Sequence, residues 1–428
     1  MKITPVSTLE GNVNLPPDKS IAHRSALFAS LSEETSIIHN YSNAADPQST
    51  ISCLKQLGVE ITQDGTTVTV KGVGRNGFKT PLEHVDCGNS GTTMRLLSGI
   101  ISGAGIEATL FGDASLSGRP MKRIMNPLKE MGADFTAKEE NYPPFTIHAN
   151  KGLKSMVYDL PVASAQVKSC VLLAGLFAEG ETQVIERIPT RDHTERLLKL
   201  PQTKREDGAT VISSNRTIVI PAQNYSVPGD FSAATFWMVA GSIVKGSNIE
   251  IPNVGMNKSR TAALHILKRM GADIQVTNER EVGGGEPVAD LVVRYAPLKA
   301  TVIEENEVPN CIDELPILSV AMSFADGISS FSGAEELRFK ECDRIMAVSK
   351  LLENAGVLFI EQKDGLTIHG DPEHVAKSAT YETWHDHRIA MSAAIMSLKS
   401  DSESEILNAD AASISYPNFY LDLAGLSK

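Results

Sequence analysis

Cys53-Leu54-Lys55-Gln56-Leu57-Gly58-Val59-Glu60-Ile61 reads as the end of an amphipathic helix, a glycine, and the start of a strand. A glycine just past a helix end supplies the left-handed turn that lets the chain leave and enter a sheet. The same phrase returns as Pro127-Leu128-Lys129-Glu130-Met131-Gly132-Ala133-Asp134-Phe135 and as Ile266-Leu267-Lys268-Arg269-Met270-Gly271-Ala272-Asp273-Ile274. A fourth copy is Leu351-Leu352-Glu353-Asn354-Ala355-Gly356-Val357-Leu358-Phe359. The glycines at 58 and 132 stand 74 residues apart, those at 271 and 356 stand 85 apart, and 132 to 271 spans 139, close to two periods. A degenerate copy is therefore expected from Leu197-Leu198-Lys199 onward, with Pro201 interrupting the helix and Gly208 serving late as its glycine. Leu421-Asp422-Leu423-Ala424-Gly425 reads as a truncated sixth. Helix–glycine–strand is common in α/β proteins, so one copy carries no weight. Four at near-multiples of one interval indicate a repeat.

Six α/β units of about 70 residues make two halves of three. Ser226-Val227-Pro228-Gly229-Asp230 has turn chemistry and precedes a helical pattern from Ser232 to Val244, so the seam falls there. Two halves meeting at one seam would form a cleft, a usual place for a ligand.

Composition narrows what that ligand can be. The 428 residues are 42% hydrophobic, enough for two or three cored domains. A formal net charge of -12 argues against nucleic acid and anionic membrane as partners. Local clusters of Lys and Arg can still hold a small anion. The five cysteines are dispersed with no CxxC pair, which fits a reducing compartment better than a disulfide framework or zinc knuckle. Met1-Lys2-Ile3-Thr4-Pro5 opens no apolar signal core, and no run of about 18 apolar residues occurs. A cytoplasmic protein is expected.

Several segments place cations beside helix starts, where exposed amides and the helix dipole favour anions. Asp18-Lys19-Ser20-Ile21-Ala22-His23-Arg24 is one; Ser20 reads as the cap of a helix beginning at Ile21. Cys87-Gly88-Asn89-Ser90-Gly91-Thr92-Thr93-Met94-Arg95 is a loop of small residues before a helix. Gly112-Asp113 through Arg119-Pro120-Met121, Ser164-Ala165-Gln166-Val167-Lys168, and Thr190-Arg191-Asp192-His193-Thr194-Glu195 have similar form. Asp313-Glu314 precedes an apolar helix, where Asp313 is either a general acid/base or a carboxylate favoured by the dipole. Lys340-Glu341-Cys342-Asp343-Arg344 is either part of a site or a surface stripe of ion pairs. His385-Asp386-His387-Arg388 has metal-like spacing but no companion ligands, and Arg388 fits the anion pattern better. Gly72-Val73-Gly74-Arg75-Asn76-Gly77 matches a dinucleotide fingerprint, yet a polar stretch with Pro81 follows where a helix is needed.

Taken in order, these motifs resemble the 5-enolpyruvylshikimate-3-phosphate (EPSP) synthase family over nearly the whole chain. The resemblance implies an α/β (α+β) fold of two pseudo-threefold domains, each of three βαβαββ units. Residues 19–229 would form the first and residues 1–18 plus 230–428 the second. It implies transfer of the enolpyruvyl group of phosphoenolpyruvate to the 5-hydroxyl of shikimate 3-phosphate, without cofactor or metal, by a monomer. Lys19, Ser20, Arg24, Ser164, Ala165, Gln166, Arg191, Asp313 and Lys340 would bind shikimate 3-phosphate. Lys19, Asn89, Gly91, Arg119, Gln166, Glu341, Arg344, His387 and Arg388 would surround phosphoenolpyruvate. Lys19, Asp313 and Glu341 would be catalytic. Gly91 implies sensitivity to glyphosate, because an alanine there crowds that inhibitor.

The chain departs from the family pattern at Pro17, where Gly is usual, at Leu96 and Ile414, where one branch has Pro and Lys, and in the tract Leu200 to Asp207. Two other functions fit parts of the pattern. A UDP-N-acetylglucosamine enolpyruvyl transferase would carry a catalytic Cys in the loop Gly112 to Met121, which has none. A two-lobed anion-binding protein would need the cations but not Asp313 and Glu341.

Overall fold

The structure is a computed structural model describing residues 1–428. Two compact units emerge. The first comprises Pro17–Val227 with Val282–Glu286; the second comprises Met1–Pro16, Pro228–Glu281 and Pro287–Lys428. The crossings thus fall two residues before the 18/19 and 229/230 boundaries read from sequence. The hairpin tip at 282–286 joins the first unit, where Ser226 N donates to the Gly283 carbonyl at 3.0 Å.

The first unit contains three four-stranded sheets with one pairing scheme. Asn224–Ser226 runs parallel to Thr35–His39, which pairs antiparallel with Thr67–Lys71, which pairs antiparallel with Glu60–Asp64. Val85–Asp86, Ala108–Phe111, Tyr142–His148 and Asp134–Lys138 repeat it. So do Val157–Asp159, Thr182–Glu186, Thr210–Ser214 and Gln202–Lys204.

The second unit keeps the scheme twice and truncates it once. Glu10–Asn12 is parallel to Asn248–Gly255 in one sheet, and Leu298–Lys299 is parallel to Ala325–Phe331 in the next. In the last sheet Thr380–Tyr381 is parallel to Ser404–Ile406, and Lys2–Ile3 stands antiparallel on its other side. The N-terminal strand thus fills the place that an internal hairpin strand occupies elsewhere.

The glycine reading of the repeats holds at Gly58, Gly132, Gly271 and Gly356, with φ of 90°, 105°, 96° and 74°. It fails in the two weak copies. Lys199, not Gly208, takes the left-handed position after helix His193–Leu197, with φ of 51°. Gly208 instead turns the hairpin between Gln202–Lys204 and Thr210–Ser214. Gly425 lies inside helix Phe419–Leu426 rather than past its end, and it does not take a left-handed conformation. The fingerprint-like glycines serve packing: a Cβ on Gly72 would lie 2.1 Å from the Ser32 carbonyl oxygen. The next element after them is strand Val85–Asp86, not a helix.

Each repeat also contributes one inner helix with little exposed surface. These are Lys19–Leu31, Gly91–Ala104 and Ala165–Gly175 in the first unit. In the second they are Phe231–Ile243, Leu315–Ser323 and His387–Ser397. Their many Ala, Ser and Gly residues allow close approach; a Cβ on Gly99 would sit 2.3 Å from the Cys170 carbonyl oxygen. Buried on nearly every side, such helices lie inside the core. The outer helices, such as Lys122–Glu130 and Ala262–Arg269, bury one stripe each. No helix is long and apolar enough to cross a membrane.

Candidate active site

Most of the motif-bearing residues lie at or just before helix starts. In the first unit the cap of Lys19–Leu31 is Asp18, whose Oδ1 accepts from Ile21 N at 2.9 Å. This corrects the reading of Ser20 as the cap, and it leaves the Ser20 hydroxyl in the helix's first turn. Lys19 Nζ lies 3.1 Å from Asp46 Oδ2. Arg24 is buried, and three of its nitrogens donate within the unit. Nε reaches Thr194 Oγ1 at 2.9 Å, Nη2 reaches Ser169 Oγ at 3.1 Å, and Nη1 reaches the Ser20 carbonyl at 3.1 Å. The guanidinium thereby ties Ser20 to the helices carrying Gln166 and the Arg191 segment.

A buried ion triad supports those two segments. Lys168 Nζ donates to Glu195 at 2.6 Å and to Glu186 at 2.8 Å. Glu186 also accepts from Thr190 N at 3.0 Å and Thr190 Oγ1 at 2.5 Å, directly before Arg191. Burial pushes the Glu195 carboxyl up against the opposing pull of Lys168. Ser164 caps the next helix, which Ala165 opens, with Oγ accepting from Val167 N at 3.4 Å.

The loop before Gly91–Ala104 is tied to Arg119. Asn89 Nδ2 donates to Asp113 Oδ2 at 2.7 Å, and Arg119 Nη2 donates to Asn89 Oδ1 at 3.3 Å. A Cβ on Gly91 would lie 3.3 Å from Arg119 Nη1 and 3.6 Å from Arg95 Nη1. Arg95 donates to Gln166 Oε1, while Gln166 Nε2 donates to Thr92 Oγ1 at 3.0 Å. Asn89, Gly91, Arg119 and Gln166 are thus gathered, and Arg95 is a link that the sequence reading did not single out. Its signal was one helical turn of spacing from Gly91.

In the second unit the focus is Arg344, the first residue of helix Arg344–Asn354 and 1% exposed. Its Nε donates to Asp386 Oδ2 at 2.7 Å, its Nη2 to Glu341 Oε2 at 2.6 Å, and its Nη1 to Asp313 Oδ1 at 3.3 Å. Lys340 Nζ reaches the same Asp313 oxygen at 3.2 Å. Arg388 Nη1 donates to the Asp313 carbonyl at 2.7 Å and lies 3.6 Å from Glu314 Oε1. Burial works most strongly against the Arg344 charge, but Asp386, Glu341 and Asp313 outweigh it and hold the guanidinium protonated. Asp386 is likewise buried, and Arg344 keeps its carboxyl below the usual range. Asp386 Oδ1 also accepts from Arg388 N at 2.8 Å, capping helix His387–Ser397. His387, the first residue of that helix, is buried. No group of three or more His, Cys, Asp or Glu side chains is arranged to hold a metal ion.

Each unit therefore sets cations, amides and carboxylates at the starts of repeated helices, a form suited to a transferase of anionic substrates. Similarity is specific to one such class. The solved EPSP synthase from Acinetobacter baumannii superposes with a TM-score of 0.87 at 38% identity, covering 100% of this chain and 98% of that one. The enolpyruvyl transferase NikO from Streptomyces tendae shares the fold, with a TM-score of 0.78 at 16% identity and coverage of 99% and 96%. The 3-phosphoshikimate 1-carboxyvinyltransferase of Salinibacter ruber is 46% identical over 99% of both chains. That of Hydrogenovibrio crunogenus is 44% identical over 98% of this chain and 95% of its own. The family model for EPSP synthase (3-phosphoshikimate 1-carboxyvinyltransferase) matches residues 3–423. The chain belongs to the EPSP synthase family and is an enzyme of the shikimate pathway.

One buried histidine joins two of the first unit's helix starts. His23 Nδ1 meets Thr50 Oγ1 at 2.6 Å, Thr50 Oγ1 meets Thr93 Oγ1 at 2.7 Å, and Thr93 Oγ1 donates to the capping Ser90 Oγ at 2.8 Å. Burial, followed by the charges of Lys19 and Arg24, pushes the His23 pKa well below 6.5, so the ring is neutral in the fold. The unfolded chain binds a proton near pH 6.5 and the folded chain does not, so this residue's contribution falls as pH drops below that value. Between pH 7.5 and 5.5 the loss should approach ~1.4 kcal/mol. Urea unfolding of His23→Asn should show a pH dependence shallower than the parent's by that amount; equal slopes would contradict the neutral buried ring.

Proposed function

We propose that the chain joins phosphoenolpyruvate and shikimate 3-phosphate by addition and elimination. The 5-hydroxyl oxygen of shikimate 3-phosphate attacks C2 of phosphoenolpyruvate and loses its proton to Asp313, with Lys19 assisting. Glu341, protonated once both substrates are bound, gives its proton to the methylene carbon, which forms a tetrahedral intermediate. Glu341 then takes a proton back from the new methyl group as the C–O bond to phosphate breaks, and the proton held by Asp313 passes to the departing phosphate, leaving the enolpyruvyl ether. Ser20, Arg24, Ser164, Ala165, Gln166, Arg191 and Lys340 hold shikimate 3-phosphate. Asn89, Gly91, Arg119, Arg344, His387 and Arg388 hold phosphoenolpyruvate, with Lys19, Gln166 and Glu341 beside it. The enzyme acts in the cytoplasm as a monomer.

The observation that carries this reading is the Asp313–Lys340–Glu341–Arg344 cluster. Two carboxylates stand beside cations and backbone amides, as proton transfer between two anionic substrates requires. Bringing both substrates into contact supplies the rest of the acceleration by proximity.

Glu341→Gln should lower kcat by roughly 10²–10⁴-fold, while calorimetric binding of shikimate 3-phosphate stays within a few-fold. The parent should release phosphate only when both substrates are present. Release with UDP-N-acetylglucosamine in place of shikimate 3-phosphate would overturn the assignment, and unchanged turnover in the variant would remove Glu341 from the chemistry.

Gly91 gives a second expectation. A methyl there would press on the Arg119 guanidinium at 3.3 Å, a contact tighter than ordinary packing. Gly91→Ala should raise KM for phosphoenolpyruvate a few-fold and weaken competitive inhibition by glyphosate by at least about tenfold, or ~1.4 kcal/mol. Equal inhibition constants in parent and variant would contradict this.

A further inference from the structure

Arg260 is a buried cation that none of the assignments above uses. It lies in the loop just before helix Ala262–Arg269, in a different repeat from Asp313 and Arg388, and is 4% exposed. Its Nη2 donates to Ser232 Oγ at 2.5 Å and lies 3.6 Å from Asp230 Oδ1. Asp230 caps inner helix Phe231–Ile243, and Ser232 stands in that helix's first turn.

Ser232 passes the contact on. Its hydroxyl donates to Glu314 Oε1. Glu314 is the cap residue of inner helix Leu315–Ser323, but its side chain makes no capping bond there. The carboxylate is turned aside, 1% exposed, between Ser232 and the Arg388 guanidinium at 3.6 Å. Arg388 in turn donates to the carbonyl of Asp313, the residue next to Glu314. Two cations and two carboxylates, Arg260, Arg388, Asp230 and Glu314, thus line up across three repeats of the second unit, with Arg260 and Glu314 buried.

Such a line is sensitive to the loss of any member. With Arg260 gone, the cation behind Ser232 is lost, and the Glu314 carboxylate is drawn toward the Arg388 guanidinium 3.6 Å away. A buried charge deprived of its partner reorganises whatever remains near it. Ser232 would lose the donor that fixes its hydroxyl, so its own bond to Glu314 could rotate away.

We propose that Arg260 is a positioning residue for catalysis: through Ser232 and Glu314 it sets where the Arg388 guanidinium stands, and so how phosphoenolpyruvate is held. The proposal rests on the assignment of Arg388 to phosphoenolpyruvate. Arg260 itself touches neither substrate nor reacting atom.

The test compares Arg260→Met, Arg260→Lys, Ser232→Ala and Arg388→Lys in steady-state phosphate release, with each substrate varied at saturation of the other. Arg260→Met should raise KM for phosphoenolpyruvate about tenfold, with kcat and KM for shikimate 3-phosphate changed less than about threefold. Arg260→Lys should recover most of that loss, because an ammonium can still meet Ser232 and Asp230. Ser232→Ala should fall between the two, and it carries the test if Arg260→Met does not fold. A raised KM in Arg388→Lys beside an unchanged KM in Arg260→Met and Ser232→Ala would overturn the proposal. So would a fall in apparent kcat that tracks the folded fraction with KM unchanged, or a lysine variant no better than methionine. An unchanged KM in Arg388→Lys would instead show that the underlying assignment of Arg388 fails.

Discussion

A cation at the start of a helix is in the wrong place electrostatically. The first turn carries about half a positive charge from its unpaired amides, which draws anions and repels Lys and Arg. Lys19 and Arg344 are nevertheless the first residues of their helices, and Arg388 is the second of its own. Each is held by acidic or carbonyl oxygens: Lys19 by Asp46, Arg344 by Asp386, Glu341 and Asp313, and Arg388 by the Asp313 carbonyl with Glu314 nearby. The carboxylates fix cations in positions that only an anionic ligand would otherwise stabilise. An anion bound there would meet preset cations and amides without first ordering them.

That constraint explains why so much charge is buried. Arg344, Asp386, Lys168, Glu195, Arg260 and Glu314 are each less than 5% exposed. Removing one partner from such a group costs more than the pair contributes, typically 3–5 kcal/mol. The stability of both units and the geometry of their helix starts therefore depend on the same ion pairs. The first unit solves the problem with Lys168 between two glutamates, one of which also grips Thr190 beside Arg191. The second solves it with Arg344 among three carboxylates.

The repeat was legible because a left-handed turn after a helix nearly demands glycine, and four copies kept it at a regular interval. It was lost where that demand could be met otherwise. Lys199 bears the positive φ itself, and in the last repeat a strand from the N-terminus replaces the hairpin. The helix-start motifs were legible as a class, since caps and small residues leave a local signature. The partners were not. Asp46, Asp386, Glu314 and Arg260 reach their targets across 27 to 82 residues of sequence, and no local pattern encodes such a pairing. The misplaced cap at Ser20 has a local cause: Asp18 and Ser20 are both good cap residues, and only the backbone decides which accepts from Ile21.

The central claim is that a buried carboxylate, rather than the helix start alone, fixes Arg344, the cation proposed to hold phosphoenolpyruvate. Asp386→Asn separates the two, because asparagine caps a helix about as well as aspartate but carries no charge to hold Arg344. The most direct measurement is KM for phosphoenolpyruvate in phosphate release by the folded variant. A rise of at least about tenfold, or ~1.4 kcal/mol, with helix content unchanged by circular dichroism, is the expected result. A KM equal to that of the parent would contradict the claim.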